Sequence, residues 1–228
     1  MAEFNPFVLE KVAEEWIASV EGESGLWRDT ALYPQIKTWF ASLPVKSVLL
    51  DLGSGQGRLA TEIDGYDTYI GVEPSPFLVK RAQELYPASN RQFVIGDATD
   101  IPLADNSVDA LICINVLFHV KDLSSAIKEM ARVLKPGGAF FITTANNDAI
   151  EHWKSFFVNP IMDNEKIIGE IKIPIINLSE GTFYFQPNEK LLSLLVDSGL
   201  HITNQKQSYK LKGQSIFLFI SGNKSQLI

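Results

Sequence analysis

Three carboxylates stand at positions where they could bind the hydroxyl and amine groups of a nucleoside. Asp51, Glu73 and Asp97 each follow a short apolar segment of the kind that forms a buried strand. Glu73 lies 22 positions after Asp51 (73 − 51), the spacing at which a dinucleotide site places an acid on ribose hydroxyls. A carboxylate there accepts two charge-strengthened hydrogen bonds, and Asp97 could accept one from an exocyclic amine such as that of adenine. The acids would repel a 2′-phosphate, which argues against NADP, although each alone could simply cap a helix.

A glycine triplet directly follows the first of these acids. Gly53, Gly55 and Gly57 separate the apolar segment 48–52 from a helical pattern that begins near Leu59. Because glycine has no Cβ, the chain can turn sharply here and its backbone can approach a ligand. The N–H groups at the start of the next helix would hold an anionic group, a phosphate or a carboxylate. The pattern predicts a strand, a tight turn and a helix, and a turn that merely joins the two elements is the competing interpretation.

The elements that must position these residues alternate along the chain. Apolar segments and helical patterns alternate from residue 48 to residue 144, which predicts a parallel sheet with right-handed crossovers. Ser75, followed by Pro76, predicts a helix start, as does Asn188, while the composition of 21–25 predicts a loop. We divide one domain into N-terminal helices that could form a lid, a cofactor-binding core, a substrate insertion and a C-terminal helix with strands: 1–44, 45–147, 148–185 and 186–228.

The composition and net charge of the chain exclude several classes of protein. The 228 residues carry a net charge of −7 and a sequence pI near 5.0, and no cluster of lysines and arginines provides the surface that a nucleic-acid binder needs. Cys113 is the single cysteine, which excludes an internal disulfide and fits a reducing compartment. The N-terminus is acidic, unlike a signal peptide, and no apolar segment approaches membrane-spanning length. We expect a soluble, cytoplasmic protein, a monomer or homodimer, with no nucleic-acid partner and no membrane span.

Five motifs in order resemble those of the class I S-adenosylmethionine-dependent methyltransferases, most closely the small-molecule branch that includes the quinone-biosynthesis methyltransferases. The motifs are Leu50–Gly57, Glu73, Gly96–Ala98, Asn115 and Arg132–Gly138. The resemblance covers about residues 45–145, and the helix-then-strand ending at 188–221 matches the tail of that family. It implies an α/β fold, a Rossmann-like seven-stranded, mostly parallel sheet with helices on both faces and the last strand antiparallel. It also implies S-adenosyl-L-methionine as the cofactor and S-adenosyl-L-homocysteine as its product.

The resemblance assigns the methionine end of the cofactor by position in this sequence. The backbone of Gly53–Gly57 would hold the methionine part, and Asp51 would support it through its amine or a water. Asn115, or its backbone carbonyl, would meet the methionine ammonium. Arg28 could reach the methionine carboxylate if the N-terminal helices fold over the site. Ser54 stands where the family usually has cysteine or alanine, a mild departure that leaves the assignment unchanged.

The nucleoside end follows in the same way. The resemblance implies that Glu73 binds the ribose and that Pro74 and Ser75 lie against the adenine. Asp97 would take the adenine amine, with the Ala98 N–H on the ring.

Methyl transfer requires few reactive side chains from the protein. A sulfonium is a good leaving group, so catalysis is mostly in-line positioning of a nucleophile in a dry pocket. A general base is needed only where the nucleophile keeps its proton. His119 is the candidate base because it follows the fourth strand, near where the methyl should lie, although it could instead cap or pack. Three scattered histidines and one cysteine do not form a metal site.

The methyl acceptor is expected to be a small and partly apolar molecule. Large side chains near the proposed lid and insertion could line its pocket, namely Trp27, Tyr33, Trp153 and Tyr184. Core packing, or a dimer contact of the insertion, is the competing interpretation of these side chains. The sequence also allows a cofactor-binding chain that supports a catalytic partner. A nicotinamide dehydrogenase is disfavoured, because Arg58 replaces the third glycine of the dinucleotide fingerprint and Asp97 has no role there.

Overall fold

The computed structural model describes residues 9–226 except 156, 164–165, 174–175, 186 and 212–213. Within these residues the chain forms ten strands. They are β1 (Val48–Leu52), β2 (Thr68–Glu73), β3 (Arg91–Ile95), β4 (Val108–Ile114), β5 (Leu134–Ala145), β6 (Phe157–Asp163), β7 (Lys166–Ile173), β8 (Ile176–Tyr184), β9 (Leu200–Leu211) and β10 (Gln214–Lys224). Seven of them form one sheet in the order β3-β2-β1-β4-β5-β10-β9. In this described sheet β10 runs antiparallel to the other six strands, so the predicted mostly parallel sheet with an antiparallel last strand is confirmed.

Eight α-helices are formed by the same described residues. They are α1 (Glu10–Glu21), α2 (Glu23–Trp27), α3 (Tyr33–Ala41), α4 (Leu59–Glu62), α5 (Pro76–Leu85), α6 (Leu123–Val133), α7 (Ile150–Lys154) and α8 (Asn188–Asp197). A π-helical turn, Arg28–Leu32, joins α2 to α3, and a 3₁₀ turn, Leu117–His119, follows β4. No helix in this part of the chain is long and apolar enough to cross a membrane.

The core lies on both faces of the sheet. Successive side chains of a strand point to opposite faces, and β5 shows the consequence. Phe141 belongs to the hydrophobic cluster that includes Phe40 of α3 and Val79 of α5. Phe140, one residue earlier, belongs to the cluster that includes Ile127 of α6 and Leu195 of α8. Helices therefore cover both faces, as predicted.

Two helix starts show how far local sequence decides the structure. The Ser75 hydroxyl accepts a hydrogen bond from the backbone N–H of Leu78 at 3.4 Å, and Pro76 occupies the first turn of α5, as predicted. Asn188, in contrast, is the first residue of α8 rather than its cap. Its side chain donates to Asn146 Oδ1 at 2.9 Å and accepts from the Asn147 N–H at 3.3 Å, so it ties α8 to the end of β5.

The predicted loop at 21–25 is wrong, because most of it is helical. Glu23–Trp27 forms α2, and Trp27 at its end stacks on Phe217 of β10 with ring centroids 4.2 Å apart. This long-range contact anchors a segment whose glycine and serine content favours a loop, and tertiary packing commonly overrides such weak local preferences.

The insertion contains a second sheet that the sequence pattern did not predict. β6, β7 and β8 pair antiparallel in that order, separately from the seven-stranded sheet. A short helix, α7, contains Trp153 and precedes this sheet. Pro174, whose ring would restrict the apolar segment 171–175 to an edge strand or a loop, lies outside the described residues. β8 contacts both α1 and the 3₁₀ turn after β4, which places the insertion sheet over the carboxyl edge of the main sheet.

A buried carboxylate joins three elements at the opposite edge of the sheet. Asp109 of β4 is 6% exposed, and it accepts from the Val48 N–H at 2.9 Å and from the Lys135 ammonium at 2.8 Å. Asp109→Ala should lower the free energy of unfolding by about 1–3 kcal/mol, because a buried donor loses its partner. Urea denaturation measures this, with Asp67→Ala as the control at an exposed aspartate just before β2. Equal stabilities of the two variants would contradict the role of Asp109.

Candidate cofactor and acceptor site

The glycine loop has a backbone conformation that few other residues could adopt. Gly53, Gly55 and Gly57 have φ values of +75°, +55° and +81°, in the left-handed region that favours glycine. Space is restricted as well, since a Cβ on Gly53 would lie 2.2 Å from a methyl of Val116. The Gly53 N–H donates to the carbonyl of Val72 at 2.8 Å, which extends the β1–β2 pairing into the loop. The loop is therefore a fixed turn at the carboxyl edge of the sheet.

Backbone N–H groups of the loop remain available to a ligand. Among the described residues, no hydrogen bond engages the backbone N–H of Gln56 or Arg58, directly before α4. The Ser54 hydroxyl points the other way, against Gly71 of β2, and is buried with no hydrogen bond to a described residue. The Ser54 backbone is engaged as well, since its N–H donates to the Val72 carbonyl at 3.1 Å and its carbonyl accepts from the Gly57 N–H at 2.9 Å, so Ser54 shapes the loop.

Glu73 ties the glycine loop to the end of β2. Its Oε2 accepts from the Gly55 N–H and its Oε1 from the Ser75 N–H, both at 3.0 Å. The side chain is 6% exposed. Burial raises the pKa of Glu73 to about 7, and the two backbone hydrogen bonds oppose this rise. Each carboxylate oxygen has a second lone pair, so the group can accept two further hydrogen bonds from a diol.

Asp51 is buried beneath the loop. Its carboxylate accepts a hydrogen bond from the Tyr69 hydroxyl on the neighbouring strand. Burial raises the pKa of Asp51 to about 7, the Tyr69 hydrogen bond lowers it, and the charge of Glu73 raises it. No pattern in the sequence singles out Tyr69, although a tyrosine in a buried strand needs a partner for its hydroxyl.

The residues assigned to adenine lie at the ends of β2 and β3. Asp97 is exposed, and its Oδ1 accepts from the N–H and the hydroxyl of Thr99 at 2.8 and 2.6 Å. Its Oδ2 has no hydrogen bond to a described residue. Ala98 and Ser75 are buried, and Pro74 between Glu73 and Ser75 is partly exposed.

Asn115 stands at the end of β4 in a strained conformation. Its φ is +56°, unusual for a residue other than glycine. Its Oδ1 accepts from the Thr143 hydroxyl at 2.9 Å, and its N–H donates to the Thr143 carbonyl at 2.8 Å. With Oδ1 engaged, the side chain offers its N–H₂ donor, and the backbone carbonyl is the group suited to an ammonium. Strained residues cluster at functional sites, and Thr143, fully buried, fixes this one.

Asp29 links Arg28 to Arg58, the residue that directly follows the glycine loop. The Asp29 carboxylate accepts from Arg28 Nε at 2.8 Å and from Arg58 Nη2 at 3.0 Å. The Arg28 guanidinium also lies 5.4 Å from the ring centroid of Tyr33, which is buried. Arg28 begins the π-helical turn before α3, and such turns often occur at functional sites.

The N-terminal helix covers the loop. The Trp16 ring of α1 packs on Gly55, where a Cβ would lie 2.7 Å from it. Gln56 of the loop donates to Glu21 of α1 at 3.0 Å and accepts from Arg81 of α5 at 3.1 Å. The sequence predicts N-terminal helices here, but no local pattern singles out Trp16 or Gln56, because their partners are distant in the chain.

Aromatic side chains fill the space beside the end of β4. We call Phe118, Trp153, Phe157, Phe183, Phe185 and Phe217 the aromatic cluster; each is buried. Trp153 lies 5.7 Å from Phe118, 6.4 Å from Phe183 and 5.4 Å from Phe217, measured between ring centroids. Trp27 joins it through Phe217, and Tyr184 is buried next to Phe183. The structure thus brings Trp27 and Trp153 together, in packed rather than open positions.

His119 lies at the border of this cluster. Its ring centroid is 4.4 Å from that of Phe118 and 5.1 Å from that of Phe183. The side chain is exposed to solvent, and partial desolvation lowers the pKa of His119 below its ordinary value. The imidazole is therefore neutral at pH 7 and is a weak base. In the described part of the chain, no group of histidine, cysteine and acidic side chains could hold a metal ion.

The raised pKa values give stability a pH dependence of defined sign. Between the ordinary values of 3.8 and 4.5 and the folded values of about 7, the folded chain retains protons on Asp51 and Glu73 that the unfolded chain has lost. Their contribution to the free energy of unfolding is complete below pH 4 and is lost as pH rises through about 7. Glu73→Gln should therefore flatten the decline between about pH 4 and 7, measured by calorimetry without ligand. Parallel curves for variant and parent protein would contradict the assignment.

Comparison with known proteins adds independent observations. Residues 50–142 match the family described as a methyltransferase domain. An uncharacterized methyltransferase of Mycobacterium bovis (strain BCG / Pasteur 1173P2) is 42% identical over 96 residues, which are 42% of this chain and 38% of the relative. The chain thus spans well under half the length of this curated relative.

Solved structures resemble the whole chain more closely in shape than in sequence. The PH0226 protein of Pyrococcus horikoshii OT3 aligns over 98% of this chain and 100% of its own, with TM-score 0.75 and 18% identity. An S-adenosylmethionine-dependent methyltransferase of Methanosarcina mazei aligns over 86% and 99%, with TM-score 0.67 and 22% identity. A Haloferax volcanii methyltransferase, in complex with the Trm112 methyltransferase activator, aligns over 95% and 99%, with TM-score 0.66 and 20% identity.

These matches agree with the geometry of the loop and the acids. The Methanosarcina mazei neighbour is described as S-adenosylmethionine-dependent, and its likeness to this chain is one of fold. The matches do not test the quinone-biosynthesis branch, which stays a prediction. Residues 50–142 thus resemble a methyltransferase domain, and the chain has the fold that S-adenosylmethionine-dependent methyltransferases such as the Methanosarcina mazei protein adopt.

Proposed function

We propose that the chain transfers a methyl group from S-adenosylmethionine to a small, partly apolar molecule by in-line displacement. The observation that carries the proposal is the Glu73 carboxylate, buried at the end of β2 and bonded to the glycine loop through Gly55. An acid in this position, beside a loop with available N–H groups, fits a ligand that joins a ribose to an anionic group.

Each part of the site has a defined task in holding the cofactor. Glu73 would accept from the ribose hydroxyls, and Asp97 Oδ2 from the adenine amine. The N–H groups of Gln56 and Arg58 would donate to the methionine carboxylate, and the carbonyl of Asn115 would accept from its ammonium. Bound S-adenosylmethionine supplies a methyl group activated on a sulfonium.

The acceptor side is defined by the aromatic cluster and His119. Buried rings near the end of β4 exclude water, which favours an apolar acceptor and a dry reaction space. Neutral His119 can accept a hydrogen bond from an acceptor hydroxyl and so orient it. Its lowered pKa makes it a weak general base, so the proposal assigns the rate mainly to positioning.

A second candidate function is that the chain acts only with a partner protein. The Haloferax volcanii neighbour is a methyltransferase found in complex with an activator. Under this alternative the isolated chain would bind the cofactor and show no turnover until the second chain is added.

Release of S-adenosylhomocysteine from isolated protein tests the proposal directly. We expect release above background with at least one member of a panel of apolar phenols, hydroquinones, carboxylic acids and amines. Gly55→Val, which puts a branched side chain at a φ of +55° and against Trp16, should abolish release while the circular dichroism spectrum stays near native. Cofactor binding without release from any member would favour the partner-dependent alternative. Absence of both would contradict the proposal.

The ribose contact gives a quantitative prediction. Glu73→Gln keeps the size of the side chain but replaces one carboxylate oxygen, an acceptor, with an N–H₂ donor. That donor would then face a backbone N–H, which is also a donor. Affinity for S-adenosylhomocysteine should fall by about ten- to a hundredfold, as expected for loss of a charged hydrogen bond. Calorimetric titration measures this, with Glu84→Gln on the exposed face of α5 as the matched control. Dissociation constants within about twofold of each other would remove Glu73 from the binding site.

The cover over the loop predicts a change in dynamics on binding. If α1 closes over the cofactor, amide hydrogen exchange in α1 and β8 should slow when S-adenosylhomocysteine is bound, while exchange in α6 should not change. Hydrogen exchange with mass spectrometry resolves these segments. Equal exchange in α1 with and without ligand would show that the helix is a fixed wall instead of a lid.

A further inference from the structure

A cavity lies away from the cofactor loop, between α3 and the strands β5, β9 and β10. Its volume is about 460 Å³, within the range of small-molecule sites. Phe141 lines it, four residues before the end of β5 at Ala145, which is roughly 13 Å along a strand. The cavity, which we call the α3 groove, therefore opens on the face of the sheet rather than at its carboxyl edge.

Three aromatic rings form the apolar walls of the α3 groove. Trp39 of α3 lies 5.3 Å from Phe141 of β5, and Phe141 lies 6.0 Å from Phe219 of β10, measured between ring centroids. Trp39 is partly exposed, so its ring presents surface to the groove. Walls of this kind suit a flat apolar body, since aromatic pairs favour stacked and edge-to-face contacts.

One cation stands beside these walls. Lys206 pairs directly with Phe219 across the β9–β10 ladder, and its ammonium lies 5.9 Å from the Phe219 ring centroid. Lys206 makes no ion pair or hydrogen bond with a described residue. The other residues that line the groove are uncharged. The groove therefore has a local charge of one sign on a chain whose net charge is −7, and it would attract an anion.

Gln35 adds a buried hydrogen-bond acceptor to the α3 groove. Gln35 of α3 lines the groove, and its Oε1 is buried without a hydrogen bond to any described residue. Its Nε2 is engaged, since it donates to the Ala31 carbonyl at 2.6 Å. An unpaired buried acceptor is costly, and a hydroxyl or N–H of a ligand would satisfy it.

We propose that the α3 groove is a binding site for a planar organic anion, an aromatic carboxylate that also carries a hydrogen-bond donor. The rings hold its body, Lys206 binds the carboxylate and Gln35 Oε1 accepts from the donor. The bound anion is an effector of the cofactor site, because the groove contacts the segment that leads to it. Gln35 holds Ala31 in the π-helical turn that begins at Arg28, and Phe219 lies 6.5 Å from Trp27.

Binding of 6-hydroxy-2-naphthoate tests the site, and this test does not depend on the proposed function. We expect one-to-one binding with a dissociation constant below about 1 mM, and at least about tenfold weaker binding to Lys206→Glu, because the cation is replaced by an anion. Lys128→Glu, at an exposed lysine of α6 on the opposite face, is the matched control and should bind like the parent protein. The cationic analogue 2-naphthylmethylammonium should bind at least about tenfold more weakly than the carboxylate. No saturable binding, or equal binding to Lys206→Glu and the parent, would overturn the site.

A competition series separates the α3 groove from the cofactor site. As the concentration of S-adenosylhomocysteine rises, the apparent dissociation constant of the naphthoate should change and then reach a plateau, as reciprocal coupling between two sites requires. An apparent dissociation constant that rises without limit would show one shared site and overturn the proposal. Unchanged affinity with S-adenosylhomocysteine demonstrably bound would overturn the effector role. Failure of S-adenosylhomocysteine to bind at all would contradict the proposed function instead, which the naphthoate titration alone does not require.

Discussion

The bonding of one buried carboxylate determines the architecture of the site. Glu73 accepts from Gly55 in the glycine loop and from Ser75 at the start of α5. It therefore joins β2 to the loop that follows β1 and to the helix that follows β2 itself. Because the group is buried, the hydrogen bonds must offset its desolvation. The same two bonds leave lone pairs for a ligand, so the interaction that shapes the loop also prepares the site.

The rest of the site depends on where this loop lies. Gln56, one residue after Gly55, bridges α1 and α5, and Trp16 of α1 packs on the loop itself. The insertion reaches the same place from the other end of the chain, since β8 contacts α1. Two segments remote in sequence thus meet over one edge of the sheet. Each is held by side-chain contacts instead of strand pairing with the main sheet, which is the kind of attachment that permits opening.

Much of the fold could be predicted because its signals are local. The apolar segments of β1 and β2, the spacing of the glycines and the Ser75–Pro76 helix start all act within a few residues. The prediction of Glu73 and Asp97 as site residues rests on equally local signals, since each acid follows its own strand. The number of strands in the sheet and the antiparallel last strand came from the resemblance rather than from the residues alone.

The features that the sequence did not reveal depend on partners far apart in the chain. Tyr69 meets Asp51 across 18 residues, and Thr143 meets Asn115 across 28. The helix α2 formed where composition indicated a loop, because Trp27 stacks on Phe217. The α3 groove is formed by residues of α3 and β9, which are far apart in the chain. No pattern within a single segment predicts it. Trp153 was predicted to line the pocket of the methyl acceptor, and the structure shows it packed within the aromatic cluster.

A crystal structure of the chain with S-adenosylhomocysteine tests the central claim most directly. The account predicts that both ribose hydroxyls lie within hydrogen-bond distance of the Glu73 carboxylate, with the ligand carboxylate against the N–H groups of Gln56 and Arg58. It also predicts that the Glu73 bonds to Gly55 and Ser75 persist in the complex. A ligand bound elsewhere, or a ribose turned away from Glu73, would contradict it.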